Sequence, residues 1–187
     1  MVSKNWSTPV AASLTRSSEP NPETEGGIPF LGSRLQIEVS RTPLPAGRVV
    51  EREGVLGVQV PASVAGRQLR KAVREAVERW LWAHARTHIL GRVAELAPPM
   101  KVSYGTITIK ETRSRWGSCS HVGNLNFNWR IIMAPPWVID YLVVHELAHR
   151  REMNHSIHFW NVVSEICPDY RNHRTWLRHC GEALLSW

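Results

Sequence analysis

Between His145 and Trp160 the chain reads HELAHRREMNHSIHFW, four histidines and two glutamates in sixteen residues. His145 and His149 are four apart, so on a helix both imidazoles leave the same face about one turn from each other. Two ring nitrogens placed in this way can meet one zinc ion at roughly 2.0–2.1 Å each. Glu146 follows about 100° further round the helix. Its carboxylate would lie beside such an ion, within reach of a coordinated water. In this HExxH arrangement zinc lowers the pKa of the water and the glutamate, as general base, accepts its proton. The competing reading is a histidine-rich core, because the pattern is short and the chain has nine histidines. Yet HELAH lies in a segment that is apolar on its other faces, where an unpartnered buried polar group costs on the order of 1–3 kcal/mol. That cost favours a metal site.

A catalytic zinc takes three protein ligands and keeps a fourth position open. The residues on offer are His155, His158, Glu152, His173 and His179. His155 stands six residues after His149 and can return to the metal if the helix stops and reverses within a few residues. Met153-Asn154 is the expected place, since Asn tolerates the left-handed conformation that ends helices. His158 would fall three residues into the next helix, on the Phe159 side. The reversal favours His155, with His158 as the alternative. Metzincins share the spacing, but they carry Gly where this chain has Glu152 and a methionine turn downstream, and no methionine follows Met153. A closed, purely structural zinc site is the non-enzymatic reading, with His158 or Glu152 as fourth ligand.

Several elements must hold these residues in place. Residues 1–29 are rich in Ser, Thr, Pro, Glu and Gly without periodicity, and read as a disordered tail. Residues 30–187 read as one domain: small strands over 30–62, a long helix over 63–98, and a core over 99–187 that carries the site. LQIEVSR and VLGVQVPAS alternate apolar and polar residues and read as antiparallel strands about TPLPAGR. Leu69, Val73, Val77, Trp80, Leu81, Ile89, Val93 and Leu96 form a helical stripe that Pro98 and Pro99 should end. His84 and His88 have metal-ligand spacing on that helix, but no acidic residue lies between them, so they read as surface or core histidines. TITIKE is a strand, and Asn124–Met133 reads as a second one, either an edge strand or an interior strand packed on both faces. Pro135 and Pro136 open the helix that carries HELAH as far as Glu152. SIHFWNVVSEI and RNHRTWLRHCGEALLSW are further helices, the last with Asp169 as its N-cap. Strands followed by helices without regular alternation indicate an α+β fold.

Composition narrows the setting. Apolar runs such as WVIDYLVV are far too short to cross a bilayer, and the N-terminus makes a poor signal peptide, so a cytoplasmic protein with no membrane partner is expected. Cys119, Cys167 and Cys180 are an odd number without a CxxC pair, which argues for buried thiols over disulfides. The formal charge is +7, and all but four of the 23 basic residues are Arg, which keeps nucleic acid among the partners to test.

TRSRWGSCS, GNLNFNWRIIMAPPWVIDYLVVHELAH, NHSIHFW and PDYRNHRTWL follow one another in the order and spacing of the YgjP-like metallopeptidases. Over about Lys101 to Leu177 the chain resembles that family, itself related to the SprT-like and WLM zinc proteases. The resemblance implies one Zn2+ per chain on His145, His149 and His155, with Glu146 as catalytic acid/base. It also implies a small zincin-like core, a twisted and mostly antiparallel sheet packed on the active-site helix, followed by C-terminal helices. The expected function is therefore zinc-dependent hydrolysis of peptide bonds in a protein or peptide substrate. Tyr170, His173, Arg115 and Tyr141 are candidates to stabilise the oxyanion. Cys119, in the RWGSC loop, is a candidate inhibitory thiolate. The alternative setting is that of the SprT and WLM proteases, cleavage of DNA-bound proteins, with Trp6 or Trp187 available to stack on a strand.

Overall fold

The computed structural model describes residues 27–45 and 47–186; Trp6, Trp187 and most of the expected tail lie outside them. The first layer is a four-stranded sheet of β1 (Gly27–Phe30), β2 (Ser33–Thr42), β3 (Val49–Arg52) and β4 (Val55–Pro61), in the order β1-β2-β4-β3. Residues 27–29, expected in the tail, belong to β1: Gly27 to Phe30 pair with Gln36 to Ser33 and bury Ile28. Two-residue turns close both hairpins. Leu31-Gly32 and Glu53-Gly54 have positive φ at both positions (48° and 77°, 51° and 81°), the geometry that matches the twist of the flanking strands.

β2 and β4 run parallel rather than antiparallel. TPLPAGR is not a hairpin turn; the chain crosses there into β3, which the sequence reading missed, and β3 then turns back into β4. Two reversals restore the direction of β2. Leu56, Val58 and Val60 alternate onto the buried face of β4, against helix α1 (Gly66–Met100). Val77, Leu81, Ala85, Ile89, Val93 and Leu96 are the buried stripe of α1. The helix runs through Pro98 and Pro99 instead of stopping before them. Proline removes donors but leaves the last-turn carbonyls free, and Ala97 and Pro98 accept from the N–H groups of Val102 and Lys101, with Lys101 in the left-handed region. His84 packs on Trp80 at 3.9 Å and His88 buries Nε2; neither joins a metal-type cluster among the described residues.

The second sheet contains β5 (Ile107–Lys110), β6 (Gly117–Cys119) and β7 (Leu125–Asn128), in the order β5-β7-β6. β7 is parallel to β5 and antiparallel to β6. Across the two sheets three of the five strand pairings are antiparallel. The strand expected over Asn124–Met133 is thus four residues long and central. Asn128 ends it: its side-chain oxygen accepts the N–H of Arg130 at 3.0 Å and starts a 3-10 helix, Trp129–Met133. All five residues of that turn are buried, which no strand with one solvent face allows. The edge strand beside α2 is β6, inside what read as a loop.

Helix α2 (Pro136–Ala148) is buried nearly all round and packs on α1, α3 (Ile157–Ile166), α4 (Tyr170–Leu185) and β6. It stops at His149, short of Glu152, and Asn154 does not take a left-handed conformation. Instead the N–H groups of Arg150 and Arg151 bond to the carbonyls of Leu147 and Ala148, tightening the last turn. Ser156 caps α3 through Phe159 N–H. Asp169 sits at the N-cap of α4, but its side chain makes no capping bond. No helix is long and apolar enough to cross a membrane among the described residues.

Candidate metal centre

Two turns of α2 and the reversal after it bring His145, His149 and His155 together, with one ligand nitrogen from each within 4.8 Å of the others. The Nε2 atoms of His145 and His155 are 3.1 Å apart. Two nitrogens on one tetrahedral zinc, at roughly 2.0–2.1 Å each, stand about 3.3 Å apart. Phe159, fully buried at the first turn of α3, supports all three rings, with centroid distances of 4.9, 4.7 and 4.7 Å. Nδ1 of His149 lies 3.2 Å from the carbonyl oxygen of Glu152. A proton held there leaves Nε2 free as a donor atom toward a metal.

Burial, then the neighbouring His149 and His155, pushes His145 down to about 3. Burial also lowers His149. The two helix imidazoles are therefore neutral at physiological pH, the form that binds metal. His158 and His179 are exposed and Glu152 and His173 half-buried, and all four lie outside the cluster. His155 is itself exposed, so the cluster opens to solvent on one side.

Glu146 is 3% exposed, and its Oε2 has no hydrogen-bond partner among the described residues. Burial pushes its carboxyl up to about 8. The carboxylate lies against the backbone of β6: a Cβ at Gly117 would stand 2.8 Å from both Cγ and Cδ of Glu146, and nearer still to Oε1. Only a residue with no side chain leaves that space. The sequence reading took RWGSC as the loop of Cys119 and did not single out Gly117; a glycine between Trp116 and Ser118 was its one trace. Trp116 holds the segment, packed against Gly181 of α4, where a Cβ would lie 3.0 Å from the indole nitrogen. Arg150 ties the end of α2 to the same region through the carbonyls of Ser103 and His121.

The other candidates separate. Tyr141 is buried, its ring 5.9 Å from His145, and burial pushes its hydroxyl up to about 12, so it remains a donor. Tyr170 stacks on Trp160 at 5.0 Å, and Trp160 stacks on His155 at 5.8 Å. His173 is one layer further out, 6.3 Å from the Tyr141 ring, with Nδ1 3.2 Å from Cys167 Sγ. Arg115 is exposed, and its carbonyl accepts from Thr112; it has no contact with the triad. Cys119 is outside the cluster, and burial raises its thiol above the usual range. Arg174 was missed: its guanidinium lies 4.8 Å over the Trp160 ring, and its charge acts on both His145 and Tyr141.

Three imidazoles converging beside a buried carboxylate, on an α+β frame, have the layout of a metal-dependent hydrolase. The chain belongs to the YgjP-like family: the YgjP-like metallopeptidase domain matches residues 5–180, well upstream of the Lys101–Leu177 stretch in which the sequence motifs lie. Among solved structures, it is similar to the metallopeptidase zymogen jannalysin of Methanocaldococcus jannaschii. That match has 22% identity and a TM-score of 0.40, over 46% of this chain and 93% of that one. The metallopeptidase zymogen abylysin of Pyrococcus abyssi matches with 16% identity and a TM-score of 0.42, over 49% and 95%. No curated protein matches the chain.

Proposed function

We propose that the protein is a zinc peptidase in which His145, His149 and His155 hold the ion and Glu146 is the general base. The observation that carries this is the pairing of the histidine cluster with a buried, unpartnered carboxylate one residue along the same helix. The donor set fits zinc. The rings of His145 and His149 are neutral, and the buried Glu146 lacks the positive charge that would return it to its anionic form. Zinc in that place supplies Lewis acidity toward water and the scissile carbonyl.

The remaining work falls to the chain. Glu146 accepts the proton of the attacking water and delivers it to the leaving amine. The Tyr141 hydroxyl, protonated throughout the neutral range, is a donor for the developing oxyanion. Among the described residues β6 pairs only with β7. Its other edge can take an extended peptide through main-chain hydrogen bonds, beside Glu146. Such a substrate is an unfolded protein or a peptide.

The +7 charge favours, as a second reading, cleavage of proteins bound to DNA. Cleavage of a denatured protein by zinc-loaded enzyme, with and without single-stranded DNA and with Glu146→Gln as blank, tests both. Turnover that survives in the blank would overturn the mechanism. Stimulation by DNA that fades with salt would select the second setting.

A further inference from the structure

Beside the metal cluster the structure carries a ladder of rings, His155 to Trp160 to Tyr170, with interplanar angles of 28° and 14°. Two guanidiniums cover it. Arg174 lies 4.8 Å over Trp160, and Arg171 lies 5.7 Å over Tyr170 while its Nε donates to the Tyr170 hydroxyl at 3.3 Å. They stand three residues apart, on one face of α4. Both are exposed, and neither forms an ion pair among the described residues. Other exposed arginines such as Arg67, Arg70 and Arg113 also lack an ion pair, but none of these three has an aromatic ring beneath it among the described residues. An aromatic face restrains a guanidinium without neutralising it, so these two forks are held in place with their terminal NH2 groups unclaimed among the described residues. Arg174 is also near enough for its charge to act on His145 and Tyr141.

We infer that Arg174, supported by Arg171 and seated on the Trp160–Tyr170 pair, forms a subsite for a substrate carboxylate next to the proposed metal centre. The planar fork matches a carboxylate with two parallel hydrogen bonds. Exposure suits a group bound in the ground state better than an oxyanion, which needs donors shielded from water. The carboxylate can come from an Asp or Glu side chain or from the C-terminus of the peptide. The inference rests on the peptidase reading for its location, but its test does not depend on turnover.

The test is fluorescence anisotropy of labelled peptides on zinc-loaded Glu146→Gln protein. Four peptides of one sequence are used: Glu or Gln at one position, each with a free or amidated C-terminus. A carboxylate should tighten binding roughly tenfold over the Gln, amidated peptide. Salt should weaken the advantage, and Arg174→Gln should remove it while Arg174→Lys keeps part. Whether the side chain or the terminus confers it identifies the source. Equal binding of all four peptides, or an advantage that survives Arg174→Gln in a protein with an unchanged melting curve, overturns the subsite. So does a single-stranded oligonucleotide that binds more tightly than any peptide and is lost with the same variant, which would give the ladder to nucleic acid. Cleavage of the neutral, amidated peptide by the wild type without a carboxylate advantage would sink the subsite and leave the peptidase standing. A carboxylate advantage without any cleavage would do the reverse.

Discussion

The two sheets of this molecule solve different problems. The N-terminal sheet has strands of up to ten residues, closed by two matched hairpin turns, with one face on α1 and a polar face that includes Glu38, Ser40, Arg52 and Gln59 in solvent. Its one buried polar residue is Thr42. The C-terminal sheet has strands of three and four residues, and the elements around it bury Asn128, Arg130 and Glu146. Asn128 is bonded to Thr112, and Arg130 to Glu111 through one terminal nitrogen while its Nε stays unpaired. Oε2 of Glu146 is unpaired among the described residues, and so is Nδ1 of His145. A folded protein seldom leaves buried polar atoms unpaired unless they have work to do. The buried core runs through both halves, and the unpaired carboxylate lies in the one where regular strand pairing gives out.

Substitutions can break or sharpen that contrast. The largest effect should come from Glu146→Gln: turnover of a denatured protein should fall by about 10²–10⁴, the usual worth of a general base. Zinc content by elemental analysis should be unchanged. His155→Ala should come next, lowering zinc affinity by more than about 100-fold, beyond what second-layer partners contribute, while His158→Ala keeps the ion. If His158→Ala were the variant that loses zinc, the ligand set proposed above would be wrong.

Gly117→Ala compares the halves directly. A methyl there must displace the Glu146 carboxylate. A misplacement near 1 Å costs roughly 100-fold in rate, with zinc retained. In the N-terminal sheet Gly57→Ala meets only the Val50 carbonyl, at 3.5 Å. It should leave turnover alone and raise stability slightly, by about 0.5–1 kcal/mol if the strand responds as strand interiors do. Equal rate losses in the two variants would erase the distinction between the sheets.

The smallest effect is in the pH dependence of melting for metal-free protein. Burial holds Glu146 near 8, above the ordinary value of about 4.3. The folded state then keeps a proton that the unfolded chain releases, and stability falls as pH rises through that window. His145 and His149 are shifted down, so they add stability as pH rises toward their ordinary value of about 6.5 and contribute no slope above it. Between about pH 6.5 and 8, of these three groups only the glutamate acts. There the wild-type Tm should fall relative to that of Glu146→Gln. Parallel curves would mean that the carboxylate is not isolated as the structure has it.

The sequence alone determined what short-range geometry controls. The 3.6-residue period places His145 and His149 on one face with Glu146 beside them, and it forces α2, apolar all round, into the centre. The stripe of α1 was legible in the same way, whereas Ser156, which caps α3, read as part of that helix, and the expected cap Asp169 makes no capping bond. Tertiary structure decided what depends on partners distant along the chain. β2 and β4 pair in parallel because β3 intervenes, and β7 stops after four residues because everything that follows must be buried. Gly117 is required because a helix 29 residues further on lays a carboxylate across it. Arg174 reaches the ring ladder because α4 packs back over Trp160. Such contacts have no period in the sequence. They exist only once the two layers close around α2, and a residue's own neighbours in the chain carry no record of them.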